Sequence, residues 1–380
     1  MNQREIELRN KIIKTLEDQG FEVGDTIKLK EHTKEAYHKI QEKAKLFQLK
    51  NHKDFLLKNI SKIKEYCRDG KDIEPDKISL EFRIVQSNTL ENILFNWWNY
   101  TWWSMPYQPS YGRRIRLLVW DKFHNMPFGL IVLQSPVMHL KVRDDYLGIP
   151  KEEKDYWINQ SMYAQRLGAL PPYNELLGGK MVALSIVSNE IRNIYKNKYK
   201  DKKTVIKGRI LNSDLLFITT TSAFGRSSIY NRLKYKNELI ARSLGYTQGY
   251  GVFHIPDDLY REILKYLQEK GIEITFKYNT GSSKKMSYLS KAFRFLELKN
   301  FSKHGLKREV FLFSLVKNLK EVIKYKEDPV FYNYSFEELL DYWKQRWAIP
   351  RSQRKPQWKD FKCEEYLNKV MRQLDDSSLF

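Results

Sequence analysis

The chain has 380 residues, 42% of them apolar, which is enough for a sizeable buried core and excludes a disordered tail. Lys and Arg number 67 against 46 Asp and Glu, a net charge of +21 that runs from end to end and is the electrostatic footprint of a polyanion binder. The two cysteines, Cys67 and Cys363, are far apart and lack C-x-x-C spacing, which argues against a disulfide framework or a cysteine-based zinc site.

The first residues, MNQREIELRNKIIKTL, are charged and periodic rather than signal-like, and no run of about 18 apolar residues occurs. A cytoplasmic protein without a membrane segment is expected. Apolar positions Ile6, Leu8, Ile12, Ile13 and Leu16 recur at helical spacing, with Gly20 as the stop. TKEAYHKIQEKAKLFQL and FLLKNISKIKEYCRDG read as two more helices, the second ending at Gly70. Residues 1–95 thus form a basic helical region.

The middle changes character. YGRRIRLLVWDKFHNMPFGLIVLQSP reads as a strand from Ile115 to Asp121, a turn through His124 and Asn125, and a strand from Gly129 to Leu133. ELLGGKMVALSIVSNEIRNIYKNKYK carries Leu184, Val187, Ile191 and Ile194 at helical spacing, so a helix is predicted to begin near Gly178, Gly179 and Lys180. LLFITTTSAF reads as a strand, IYNRLKYKNELIARSLGY as a helix and GYGVFHI as a further strand. Strands alternating with helices imply a mixed α/β core, α+β in detail, over 96–256.

Residues 257–380 read as an α/β and helical extension with a basic tail. DLYREILKYLQEKG is a helix closed by Gly271, and EITFKYNTGSSKK a strand running into a loop. KAFRFLELKNF and EVFLFSLVKNLKEVIKY fit strand or helix equally. FEELLDYWKQRW is helical and is predicted to stop before Pro350.

Three stretches could carry chemistry. In LPPYNELLGGKMVAL a proline bend leads into a glycine pair at a helix start, so Gly178, Gly179 and Lys180 are candidates to cradle a phosphate-bearing or acyl-type cofactor; close packing explains such glycines equally well. In TTTSAFGRSSIYNRL, Arg226 suits a bidentate phosphate contact, and Ser222, Ser227 and Tyr230 are candidate hydroxyl donors or nucleophiles, with helix capping as the plain alternative for a serine. In YGRRIRLLVWD, Arg113, Arg114 and Arg116 stand beside Tyr111 and the tryptophans of FNWWNYTWWSMP, a mixture suited to clamping a nucleic-acid backbone and stacking on an opened base, or simply to a sheet edge over an aromatic core. Arg143, Lys234, Arg346, Arg351 and Arg354 extend the candidate DNA-binding set. Asp121, Asp144 and Asp145 are the carboxylates available to a divalent metal or as a general base, and Tyr173 is a further candidate nucleophile. The seven histidines form no H-x-H or H-E-x-x-H cluster, and a structural role is favoured for His254 and His304.

The succession WSMPYQPSYGRRIRLLVWD, GLIVLQSP, RDDYLGI, LGALPPYNELLGGKMVAL, SNEIR, TTTSAFGRSSIYNRL, GYTQGYGVFHI, HGLKREVF and YWKQRWAIPRSQR resembles the DruA family of Druantia anti-phage systems in order and spacing, from about residue 5 to 355. The strand–loop–helix arrangement also resembles the GNAT acetyltransferase-like core, in which the strand before the loop splays from its neighbour. Glu175 stands where that core usually opens its acyl-CoA loop with glutamine or arginine, and the chain keeps His254 but has Val252 in place of the family's first histidine. The resemblance implies an anti-phage or mobile-element setting, contact with DNA, and partner proteins such as a helicase. It leaves three functions open: a DNA-modifying enzyme similar to the phage Mom proteins, a strand-cleaving or strand-joining enzyme of transposase or nuclease type, and a non-catalytic DNA-binding module.

Overall fold

The structure is a computed structural model. It describes the whole chain except residues 25, 108–111, 205–206, 211–212, 226, 250–254, 276–283, 302 and 376–380, and for residues 43 and 284 the backbone alone.

The main elements, in chain order, are α1 (Gln3–Asp18), α2 (Lys34–Asn51), β1 (Leu80–Ile84), α3 (Leu90–Thr101), β2 (Arg114–Asp121), β3 (Met126–Gln134), α4 (Lys141–Leu147), β4 (Ser161–Ala169), α5 (Gly178–Ser185), α6 (Asn189–Tyr199), β5 (Phe217–Thr221), β6 (Arg242–Tyr246), α7 (Asp257–Glu269), α8 (Lys284–Phe295), β7 (Glu309–Ser314), α9 (Leu319–Tyr325), α10 (Phe336–Trp343) and α11 (Cys363–Asp375). The seven strands form one mixed sheet in the order β6-β7-β5-β4-β3-β2-β1. Its one parallel pair is β4 with β5, and the pairing covers only Ser161–Tyr163 against Phe217–Thr219. Beyond that point the backbone ladder of β4 runs to β3, with an irregularity in register between Val132 and Leu133, while the Thr220 hydroxyl of β5 still donates to the Ala164 carbonyl at 2.7 Å.

Both faces of the sheet are covered, as its near-continuous apolar runs require. On one face Leu117, Phe128, Ile131, Met162 and Ile218 pack under α5, α6 and α10 with Met181, Leu184, Ile191 and Trp343. The other face carries two separate apolar clusters. Trp97, Trp98, Leu118, Trp120 and Leu130 pack with Leu49 of α2 and Leu367 and Val370 of α11, whereas Phe217 and Leu312 pack with Leu147 of α4 and Val322 and Ile323 of α9. A fourth cluster joins Leu8, Ile12 and Leu16 of α1 to Leu259, Ile263 and Leu267 of α7 and to Leu289 and Phe293 of α8.

Several elements differ from the sequence-based expectation. IYNRLKYKNELIARSLGY is a short hairpin, Lys234–Tyr235 against Glu238–Leu239, followed by β6, and is not a helix. Lys236 and Asn237 both have positive φ (46° and 68°), the two-residue turn that suits hairpin twist. The helix expected from Gly178 to Ile194 breaks in two because the Ser188 hydroxyl accepts from the Ile191 amide and starts α6 afresh. FLLKNISKIKEY splits at Asn59 into Lys53–Lys58 and Ile60–Glu65. After α10 the chain runs through a π-helical turn at Lys344–Ala348 into a helix at Ile349–Arg354, and Pro350 is tolerated because it lies in that helix's first turn.

Cys67 and Cys363 are joined as a disulfide across 296 residues, with Cα atoms 6.0 Å apart, contrary to the expectation from their spacing. Next to it the Asp69 carboxylate accepts from the Cys363 amide at 3.0 Å, and Gly70 packs so tightly on Trp358 and Lys359 that a Cβ there would collide with backbone. Among the described residues, no helix is long and apolar enough to cross a membrane.

Candidate functional site

Two of the residues singled out from sequence meet under α5. Asp121 ends β2 fully buried, and its Oδ2 accepts from the Tyr173 hydroxyl at 2.8 Å and from His124 Nδ1 at 2.6 Å. Its Oδ1 accepts from the amides of Ser79 (3.2 Å), Phe123 (3.1 Å) and His124 (3.4 Å). His124 Nε2 accepts from the Glu74 amide at 2.9 Å, which places the neutral ring's proton on Nδ1. Burial, and then the neighbouring Asp121 charge, push the Tyr173 phenol well above its ordinary range. Every acceptor on this carboxylate is used by the protein, so the trio ties the β2–β3 turn to the loop after β4. His124 is the member that sequence reasoning missed, although its position three residues after Asp121 in a turn was a visible signal for such a contact.

That loop explains the glycine pair. Leu177 has φ of 60°, an uncommon left-handed conformation for leucine, and its carbonyl accepts from Trp343 Nε1 at 3.0 Å and from the Lys180 amide at 2.9 Å. The Gly178 amide donates to the Tyr173 carbonyl at 2.8 Å, and a Cβ on Gly178 would sit 2.7 Å from that oxygen and 2.8 Å from Ala169 Cβ. Gly179 faces Ile229 at packing distance, and Lys180 donates to the Ile229 carbonyl at 3.1 Å beneath Trp347. All three residues therefore serve close packing of the helix against its neighbours.

The remaining candidates are dispersed. Ser222 donates to the Gly225 carbonyl and accepts from the Glu309 amide at 3.0 Å, which fixes the end of β5. Ser227 accepts from the Tyr230 amide at 3.4 Å, and Tyr230 is buried edge-on to Phe311 and Phe313, with its hydroxyl pushed up by burial. Asp144 is engaged by Arg143 at 2.6 Å and Lys154 at 2.9 Å. Arg143 is 0% exposed and also donates to the carbonyls of Val137 and Met138, so in this conformation it has no surface to offer a phosphate. Arg113 is held by the carbonyls of Ile158, Asn159 and Ser161 and by the Tyr195 hydroxyl. Lys234, Arg346 and Arg354 are exposed, and Arg351 donates to the Glu175 carbonyl at 3.1 Å. Tyr111, Arg226 and His254 lie outside the described residues. Among the described residues, no three His, Cys, Asp or Glu side chains converge as metal ligands.

Arg114 and Arg116 open a different arrangement. The start of β2 is stapled to α6: the Arg114 amide donates to the Tyr199 hydroxyl at 2.8 Å, and Lys198 Nζ donates to the Arg114 carbonyl at 2.8 Å. Burial first, then repulsion by Lys202, Arg114 and Arg116, hold the Lys198 ammonium below its ordinary range. Among the described residues none of these four cations makes an ion pair.

The register then carries polar side chains across the sheet face between its two apolar clusters. Arg114 pairs with Gln134, Gln134 with Tyr163 and Tyr163 with Thr219; Arg116 pairs with Val132 and Val132 with Arg166. Arg166 is 4% exposed; it donates to Asn99 Oδ1 at 2.9 Å and to the Met105 carbonyl at 3.0 Å, and lies 5.5 Å from the Tyr107 ring. Lys45 of α2 is buried as well and donates to the Tyr100 carbonyl. Burial, then repulsion from Arg166, pull its pKa down to about 7. Beside these groups lies a cleft of about 420 Å³ whose lining includes Lys45, Lys369, His38, Trp102, Trp103 and one acid, Glu42.

The family model of the Druantia protein DruA matches residues 31–325. The curated Druantia protein DruA from Escherichia coli (strain UMEA 4076-1) is 33% identical over 372 residues, covering 96% of this chain and 92% of that protein. No solved structure matches. With most of the chain matched by the family model and nearly all of it by that relative, the chain belongs to the Druantia protein DruA family.

Proposed function

We propose that the protein is the DNA-contacting component of a Druantia-type anti-phage defence system and acts on DNA through a GNAT-like core widened by basic flanks. Family membership supports the defence setting. The observation that carries DNA contact is the crowding of Arg114, Arg116, Lys198 and Lys202 without a carboxylate partner among the described residues. A protein that gathers like charges spends stability on their repulsion, and a polyanion relieves it. The shortness of the parallel ladder between β4 and β5, three residue pairs ending at Tyr163 and Thr219, supports the GNAT-like reading of the core. The strand-cleaving alternative requires Tyr173, Tyr230, Ser222 or Ser227 to leave the contacts that now hold them. Modification of a base or marking of DNA for a partner such as a helicase asks for no such rearrangement.

The test is fluorescence anisotropy of labelled DNA over a salt series. The paired variant Arg114→Gln with Lys198→Gln should flatten the salt slope by about two, one per lost phosphate contact. An unchanged slope would remove the patch from the interface, and failure of the wild-type protein to retain DNA in dilute buffer would overturn the proposal. Mass spectrometry of DNA exposed to the protein reads out base modification directly.

A further inference from the structure

The polar stripe across the sheet is unusual for an internal face. Cations enter it from β2, β4, α2 and the approach to β7, as Arg116, Arg166, Lys45 and Arg308, and among the described residues none of them is paired with a carboxylate. Arg116 bonds only to the amide oxygens of Asn92 and Asn96. The Arg308 guanidinium has no hydrogen-bond partner among the described residues; burial lowers its pKa, and Tyr163 and Tyr37 are its electrostatic neighbours. Lys45 and Arg166 are buried and Arg116 and Arg308 half-buried, and cations so placed are ordinarily matched by an acid, because an unpaired charge away from water is costly.

The same region holds polar atoms that find no hydrogen-bond partner among the described residues. Thr219 is 1% exposed and its hydroxyl is unpartnered, as are Gln134 Oε1, the Tyr107 hydroxyl and Asn99 Nδ2. Gln134 and Thr219 flank Tyr163 directly in the register, and Asn99 and Tyr107 flank Arg166. The arrangement is built, since Gln48 of α2 clamps both the amide and the carbonyl of Tyr107 at 2.7 Å each. Trp103 lies over Gly168, where a Cβ would come within 3.2 Å of the indole and displace it.

Unmatched guanidinium and ammonium groups call for phosphate, which Arg recognises bidentately. Carboxamides and hydroxyls without partners among the described residues suit the mixed donors and acceptors of a base edge, and Trp102 and Trp103, half-buried on the cleft wall, offer faces for stacking. A cleft of about 420 Å³ is of the size that holds a small ligand. We infer that this stripe and cleft receive one unpaired nucleotide of a DNA strand, with its base in the cleft against Trp102 and Trp103 and its phosphate drawn by Lys45 at the cleft and by Arg308 on the stripe. This rests on the DNA-contact reading above and names its substrate as a strand with an extruded or single-stranded nucleotide, as enzymes that work on bases require.

Three labelled DNAs of one sequence separate the outcomes: a single strand, a perfect duplex and a duplex with one bulged nucleotide. The single strand and the bulge should bind at least about tenfold more tightly than the perfect duplex, with tryptophan quenching on binding. Arg308→Gln and Thr219→Val should each erase at least about fivefold of that preference, and both avoid the most buried cation, so loss of folding does not obscure the result. Equal binding of all three DNAs by the wild-type protein would overturn the unpaired-nucleotide inference while leaving the DNA-contact reading intact. Binding of none of them would overturn that reading instead. A thermal shift with a deoxynucleoside monophosphate or coenzyme A, but with none of the DNAs, would assign the site to a free nucleotide and overturn the strand.

Discussion

Tyr173→Phe separates a structural hydroxyl from a chemical one. The ring is fully buried against Phe128, with centroids 4.6 Å apart, so removal of one oxygen leaves the packing in place. What is lost is a 2.8 Å hydrogen bond to the buried Asp121 carboxylate, which retains His124 and three backbone amides as donors. Hydrogen bonds to charged groups contribute about 1.5–3 kcal/mol, and the four remaining donors favour the lower half of that range. With a urea slope of about 3 kcal/mol per molar, the midpoint should fall by about 0.5–0.75 M. Urea unfolding followed by tryptophan fluorescence measures it, and DNA retention should stay within about twofold of wild type. An unchanged midpoint combined with loss of a DNA product would refute the reasoning and make the phenol a reacting group.

Two further outcomes follow from the same geometry. Gly178→Ala places a methyl group 2.7 Å from the Tyr173 carbonyl and 2.8 Å from Ala169 Cβ, and should destabilise the fold by about 1–3 kcal/mol in thermal unfolding; retained stability with loss of an anionic ligand would point to a phosphate-cradling loop instead. Lys45, lowered to about 7 in the fold against its ordinary 10.5, binds its proton less readily folded than unfolded. Stability should therefore rise with pH between those values, by up to about 1.4 kcal/mol per unit, and the benefit should be lost as pH falls through 7. Arg166 repels Lys45, and His38, Glu42 and Lys369 line the same cleft, so the contribution is read as the difference from Lys45→Met, which should lack that slope; identical slopes would exclude Lys45 as its source.

The sequence made the core strands legible because their signal is local. Apolar runs around an Asn125 turn mark β2 and β3, and a glycine pair marks the start of α5. The hairpin at Lys236–Asn237 was hidden because its turn uses lysine and asparagine rather than glycine, and the surrounding residues also fit a helical period. Site geometry was harder still. Asp121 and Tyr173 were both visible as candidates, yet their contact spans 52 residues and depends on the pairing of β3 with β4. Arg143 and Arg113 looked like surface cations, and only the fold reveals that backbone carbonyls enclose them.

Charge alone therefore does not locate a polyanion site in this chain, because burial has already assigned many of its cations. Arg113 and Arg143 are saturated by carbonyls and a carboxylate, and Lys180 is spent on Ile229. The informative cations are those that meet no carboxylate among the described residues and lie beside polar atoms that lack partners there as well. Arg116, Arg166, Lys45 and Arg308 come from segments as distant as α2 and the approach to β7, yet converge on one sheet face where Gln134 Oε1 and the Thr219 hydroxyl have no hydrogen-bond partner among the described residues. A fold that needed these charges only for packing would have matched them with some of its 46 acids, most of which are on the surface instead. On the proposed reading, an anionic group capable of hydrogen bonding that lies on this face offsets the cost of leaving it unmatched.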